Sequence, residues 1–269
     1  ITIYASQVAV ADAYPFAYDC FSSKEKLKLS KNRIKKSLLS GMKNAKNLKS
    51  NFFLPYAGHI KSFSKNEEFN DSSGFIENNL IKKILKPVPN KDKVNLLDWK
   101  TGDVFKNGKI HSVFENNYIS ETNIKKASSE YWSEYGDFNY KKLKNKLQSV
   151  KRKKLLNYFS TKFQDYVINS VPSKNFKEEI LYSKVIFEIN NTIKKIIIFP
   201  KYTEKKRIDL HIKWDLETAD QILQGIINFE ASYIGGLGAF SRNPKYINNS
   251  HVIRWLTMFG YVWQNKLSK

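Results

Sequence analysis

Apolar positions change their period several times along the chain, and each change marks an element. Residues 1–11 (ITIYASQVAVA) are β-rich and become apolar on both faces towards Ala11, which predicts a strand buried inside a covered sheet. From Ser23 to about Lys49 the period lengthens. Leu27, Ile34, Leu38, Met42 and Ala45 recur at threes, fours and sevens and predict one amphipathic helix, with Lys24, Lys28, Lys31, Lys35 and Lys36 mostly on its wet side. Asn51–Tyr56 reads as a short apolar strand stopped by Pro55, followed by Ala57-Gly58-His59, a small-residue turn where backbone can approach a ligand closely. Strand, helix, strand in that order predicts α/β layering. Residues 61–75 read as a polar loop, Ile76–Leu85 as a short helix that ends before Pro87 and Pro89, and Val94–Trp99 as a strand closed by Thr101-Gly102-Asp103.

From about 116 to 170 the pattern is rich in Lys and Tyr and helical, with Leu143, Leu147, Val150, Leu155, Tyr158 and Phe163 drifting round the helix, which predicts a helical connector. After Pro172, Ile180–Glu188 and Ile193–Phe199 predict a β-hairpin turned at Asn190-Asn191, residues that tolerate positive φ. Arg207–Trp214 alternates cleanly, with Ile208, Leu210 and Ile212 on one face and Asp209, His211 and Lys213 on the other. Asp215 is placed to cap a helix from Leu216 to about Gly225, and Asn248–Lys266 carries Val252, Trp255, Leu256, Phe259 and Trp263 on one stripe. The expected organisation is an α/β domain over 1–115, a helical connector over 116–170 and a small α+β domain of hairpin, strand and two helices over 171–269.

Composition narrows the function classes. The chain has 269 residues, enough for real cores at 41% hydrophobic content, and carries a formal net charge of +21. Such a charge brings acidic partners into view: nucleic acid, an anionic surface or a phosphorylated substrate. Only five of the 46 basic residues are arginines, however, and base or phosphate reading favours the arginine fork, which argues against nucleic acid. Abundant Lys, Asn and Ile also fit codon drift in an A/T-rich genome. The single cysteine, Cys20, excludes an intramolecular disulfide and a Cys-rich metal centre, and points by default to the cytoplasm. No apolar run reaches the length of about 18 residues needed for a transmembrane span. The opening Ile1-Thr2-Ile3 shows no signal-peptide pattern and reads as if it began inside something longer.

Candidate chemistry is sparse. His59, His111, His211 and His251 stand in no metal-ligand spacing. His211 reads as a solvent-facing strand residue, His251 as a helix-surface one and His111 as a turn residue, whereas His59 follows a strand end and a glycine, where α/β sites gather their functional groups. Gly235-Gly236-Leu237-Gly238 lacks the order of a phosphate cradle and reads as a tight turn or a close backbone approach. Asp12 and Asp19 flank Tyr14-Pro15-Phe16-Ala17-Tyr18, an aromatic turn that suits a pocket wall, the aspartates otherwise serving the turn. Arg242, one of few arginines in a lysine-rich chain, suits either a bidentate contact to a carboxylate or phosphate, or a structural ion pair.

Four stretches together resemble the C-terminal half of metallo-β-lactamase-fold proteins related to CMP-N-acetylneuraminate hydroxylase. They are Gln7–Pro15, Leu54-Pro55-Tyr56-Ala57-Gly58, Asn78–Lys83, and Tyr233-Ile234-Gly235 with Arg242–Tyr246, in the family's order over nearly the whole chain. The resemblance implies the second half of an αββα sandwich and a divalent metal, zinc or iron. The His-x-His-x-Asp-His cluster and the Rieske iron–sulfur domain would lie upstream of the region matched, so the metal would be held mainly outside this chain. It implies a missing N-terminal half or a partner chain that carries those ligands. His59 stands two residues beyond the position matching the family's late histidine and is kept as a pocket residue that could touch metal. On this resemblance the function expected is a share in a metal-dependent hydrolase- or oxygenase-like enzyme acting on a sugar nucleotide, surface glycan or lipid-linked substrate. Asp12, Tyr14, Tyr56, His59 and Arg242 would line the substrate pocket. The alternatives are a non-catalytic basic module that binds nucleic acid or an anionic surface through the helices at 24–49 and 141–154, and a degenerate structural paralogue.

Overall fold

The first apolar run folds as β1 (Ile3–Gln7), which pairs in parallel with β2 (Phe52–Tyr56), and β2 pairs in parallel with the short β3 (Asn95–Leu96). The computed structural model describes residues 2–7, 14–56, 78–86, 94–97, 104–111, 147–170, 174–203 and 207–267. Two parallel strands demand a crossover, and α1 (Ser23–Asn47) supplies it. Its buried stripe is the expected one, Ile34, Leu38, Met42 and Ala45, and it meets Phe53 of β2 together with Ile81 and Leu85 of α2 (Asn78–Leu85) and Val94. Gly41 is required where helix and strand touch, since a Cβ there would stand 2.6 Å from Phe53 Cζ. A small hairpin, β4 (Val104–Lys106) and β5 (Lys109–His111), belongs to the same unit and turns at Asn107-Gly108, both at positive φ.

Two expectations fail in this first unit. Leu27 is exposed rather than part of the helix's apolar stripe. Over Ile3–Gln7, β1 is not buried on both faces: it lies at the edge of the order β1-β2-β3, alternates between exposed and half-buried residues, and leaves Ile3 39% exposed, while Val8–Ala11, the part apolar on both faces, lies outside the described residues. Only one face of the sheet rests on α1, so alternate residues of β1 stay uncovered among the described residues.

The second unit takes in residues 12–23, 64–69 and 140–269. Its helix α3 (Ser149–Asn169) falls in the region expected as a connector, yet it is a core helix of this unit. Phe159 and Phe163, fully buried, meet Phe187 and Phe199 edge-on at 5.7 and 6.0 Å. After α4 (Lys174–Leu181), which takes Ile180 out of the expected hairpin strand, the chain forms β6 (Lys184–Ile189), β7 (Ile193–Ile198) and β8 (Ile208–Trp214). The hairpin turn lies at Asn190-Asn191, with φ of 48° and 59°, as read from the sequence. Helix α5 (Leu216–Leu223) is capped by Asp215, whose carboxylate accepts from Thr218 N–H at 2.6 Å. Then come α6 (Phe229–Ile234), β9 (Gly238–Asn243) and α7 (Ser250–Leu267).

The sheet runs β7-β6-β8-β9, with β6 and β8 parallel and both edges antiparallel. Trp255, Leu256, Phe259 and Trp263 of α7 are buried, as its periodicity requires. One polar anchor lies inside the helical layer. Asp220 accepts from Arg152 Nε and Nη2 at 2.6 and 2.8 Å and from Leu147 N–H at 3.1 Å. The observed class is therefore mixed α/β. Among the described residues no helix is long and apolar enough to cross a membrane.

Candidate functional site

β9 alternates, so Phe240 and Arg242 share its inward face; Phe240 is fully buried and Arg242 is 9% exposed. The segment beyond this edge is 17–19: Phe240 N–H donates to Ala17 O at 2.8 Å and Asp19 N–H to Phe240 O at 2.9 Å, so the aromatic turn read at Tyr14–Tyr18 continues the sheet. That pairing sets the aromatic residues round the arginine. The guanidinium carbon lies 4.7 Å from the Tyr14 ring centre, 5.1 Å from Tyr18 and 5.5 Å from Phe21, within cation–π range of all three. The rings also pack on each other, Tyr14 edge-on to Tyr18 at 5.2 Å, and Phe21 reaches Tyr246 at 5.6 Å.

Hydrogen bonds fix the fork. Arg242 Nε donates to Lys245 O at 2.7 Å and Nη1 to Asn249 Oδ1 at 3.1 Å, while Asn249 Nδ2 donates to the Tyr18 hydroxyl at 3.0 Å. Neither partner of the arginine is an acid, and among the described residues no carboxylate pairs with it. The result is a nearly buried positive charge, held by a carbonyl, an amide and three ring faces, with no carboxylate paired to it among the described residues. Such a group stabilises an anion brought to its margin. Cys20 lies beside it: burial pushes the thiol's pKa up, opposed by the backbone N–H and the charge of Arg242.

Of the five residues singled out in the sequence, Tyr14 and Arg242 come together here. Tyr56 ends β2 in the first unit and is 49% exposed. Asp12 and His59 lie outside the described residues. Asp19, at the edge of the turn, pairs with Lys213 at 2.6 Å. Tyr18 belongs to the aromatic turn read from the sequence as a pocket wall, whereas Phe21 and Asn249 were missed, although Phe21 follows that turn by three residues.

The histidines need correction. His251 is not a surface residue: it is 6% exposed, its Nε2 lies 2.8 Å from Ser183 Oγ, and burial lowers its pKa despite nearby Asp209 and Glu179. Ser183, His251 and Asp209 have the composition of a nucleophilic triad but not its access. Ser183 is fully buried, and Asp209 is occupied by Arg207 and by Lys184 N–H at 3.0 Å. They form a structural tie. His211 is half-buried on the sheet face beside Glu188, at 3.1 Å, and its pKa is lowered by burial more than Glu188 raises it. The glycine-rich stretch is a close approach, as read: a Cβ on Gly238 would stand 3.1 Å from Trp214 Cδ1. Among the described residues no three His, Cys, Asp or Glu side chains gather as a metal site. No family model, curated protein or solved structure matches this chain.

Proposed function

We propose that this chain forms part of a metal-dependent hydrolase- or oxygenase-like enzyme of metallo-β-lactamase type that acts on a phosphorylated sugar such as a sugar nucleotide. The metal, zinc or iron, would be held by residues of a preceding half or a partner chain. The described residues provide no cluster for it. The observation that carries the reading is the Arg242 cage. Two stretches behind the family resemblance, ending at Tyr14-Pro15 and beginning at Arg242, are far apart in sequence yet meet at 4.7 Å round a guanidinium that pairs with no carboxylate among the described residues. Among the described residues Nε and Nη1 have internal partners and Nη2 has none, which makes Nη2 the edge of the fork that a phosphate oxygen would approach. The aromatic rings round it hold the planar guanidinium in one orientation. Arg242 thus positions an anionic group through its fork.

Calorimetric titration with cytidine monophosphate, for the natural protein and for Arg242→Lys, tests this. The reading expects saturable binding that weakens about tenfold in the lysine variant, about the worth of one charge-assisted bond. Absence of saturable binding, or equal affinity in a folded variant, refutes it. A second reading, a basic binding module, rests on α1: Lys24, Lys28, Lys31 and Lys35 are all exposed, at spacings that make one row along the helix. It expects affinity for a nucleic acid to fall steeply with salt, with a slope set by the number of phosphates neutralised.

A further inference from the structure

Helices α3 and α7 run past each other in opposite senses: Phe159 meets Trp263 at 5.1 Å, and seven residues later Tyr166 meets Trp255 at 5.9 Å. Outside this seam they leave a groove of about 260 Å³, lined by Lys162, Asp165, Tyr166, Phe259, Val262, Trp263 and Lys266. Its body is apolar and aromatic, with Phe259 and Trp263 as a nearly buried floor and Val262 46% exposed on the wall. Two lysines of the lining also approach one ring, Lys162 Nζ at 5.6 Å and Lys266 Nζ at 5.8 Å from the Tyr158 centre, and Lys266 Nζ donates to the Tyr158 hydroxyl at 3.4 Å. Lys162 has a partial partner in Asp165 at 3.5 Å; Lys266 has no carboxylate partner among the described residues. Two lysines on the lining favour an anion beside them, and the adjoining apolar floor favours a hydrocarbon. The volume lies just under the roughly 300–1,000 Å³ of ordinary ligand pockets, so the occupant is slender.

We propose that this groove binds a single-chain amphiphile with an anionic head, a medium-chain carboxylate, with its head between Lys162 and Lys266 and its chain along Tyr166, Phe259 and Val262. The site stands apart from the Arg242 cage and does not depend on the enzymatic reading. Titration calorimetry with decanoate below its aggregation threshold tests it, alongside decyltrimethylammonium as the cationic counterpart. One-to-one binding of decanoate and at least tenfold weaker binding of the cation are expected. Val262→Trp fills the groove from an exposed position that the fold tolerates, and displacing about two methylenes' worth of contact lowers affinity about tenfold. Lys162→Gln with Lys266→Gln lowers the preference for the anion by about fivefold or more, the worth of exposed charge pairs. Circular dichroism and melting confirm that each variant is folded. The proposal is overturned if decanoate does not saturate, if Val262→Trp binds it as well as the natural protein, or if the cation binds equally. It is also overturned if only vesicles of anionic phospholipid bind, unaffected by Val262→Trp, which would mark a membrane surface instead.

Discussion

Replacing Arg242 by lysine keeps the charge and removes the fork, which makes it the sharpest probe of the caged arginine. The natural side chain makes two bonds at 2.7 and 3.1 Å and lies against three ring faces between 4.7 and 5.5 Å. A lysine ammonium is a point donor that can hold one of those partners but not both. Loss of one charge-assisted bond costs about 1.5–3 kcal/mol, and weaker stacking adds about 0.5–1 kcal/mol. Arg242→Lys is therefore expected to destabilise the second unit by about 2–4 kcal/mol. Urea unfolding followed by tryptophan fluorescence reads this, since Trp214, Trp255 and Trp263 all lie in that unit. Asn249→Ala supplies the control: Arg242 and Asn249 share a bond, so the double variant should lose less than the two singles together, with a coupling of about 1 kcal/mol. A change within about 0.5 kcal/mol for Arg242→Lys, or strict additivity with Asn249→Ala, refutes the claim that the cage is an integrated unit.

Other expectations follow from single contacts. Asp220→Asn breaks a buried bidentate pair with Arg152 and should cost about 3–5 kcal/mol by denaturant unfolding, whereas removing both charges with Arg152→Met and Asp220→Leu should cost clearly less. Gly260→Ala places a Cβ 2.8 Å from Phe229 N, where α7 meets α6, and should destabilise by about 1–3 kcal/mol in thermal melts. His251 has its pKa lowered by burial, so the unfolded chain binds more protons as the solution is acidified. Its contribution is complete above about pH 6.5 and lost as pH falls through the lower folded value. The melting temperature should thus drop between pH 7 and pH 5.5, and His251→Gln should flatten that part of the profile.

Elements that bury a regular stripe were legible in the sequence. The stripe of α7 and the cap at Asp215 follow from periodicity and local hydrogen bonding alone, and so does the Asn190-Asn191 turn. What the sequence hid was tertiary. The exposure of β1 depends on which neighbours it finds, and its apolar composition could not reveal that it lies at a sheet edge. Helix α3 looked like a connector because its apolar positions drift, but the drift lets it face the sheet through Phe159 and α7 through Tyr166 at once. His251 looked like a surface residue because polarity stands in for exposure in a sequence, and its partner Ser183 is 68 positions away. The candidate site was half legible. Arg242 stood out by its rarity and Tyr14 by its aromatic turn, whereas Asn249 carried no local signal.

The central claim is that this chain works as one part of a metal-dependent assembly. Plasma-emission metal analysis of the natively isolated protein, with intact mass measured on the same sample, tests it most directly. The account expects about one or two zinc or iron ions per complex, together with a co-purifying polypeptide or a longer chain that carries the ligands. A monodisperse 31.4 kDa chain free of metal would contradict it.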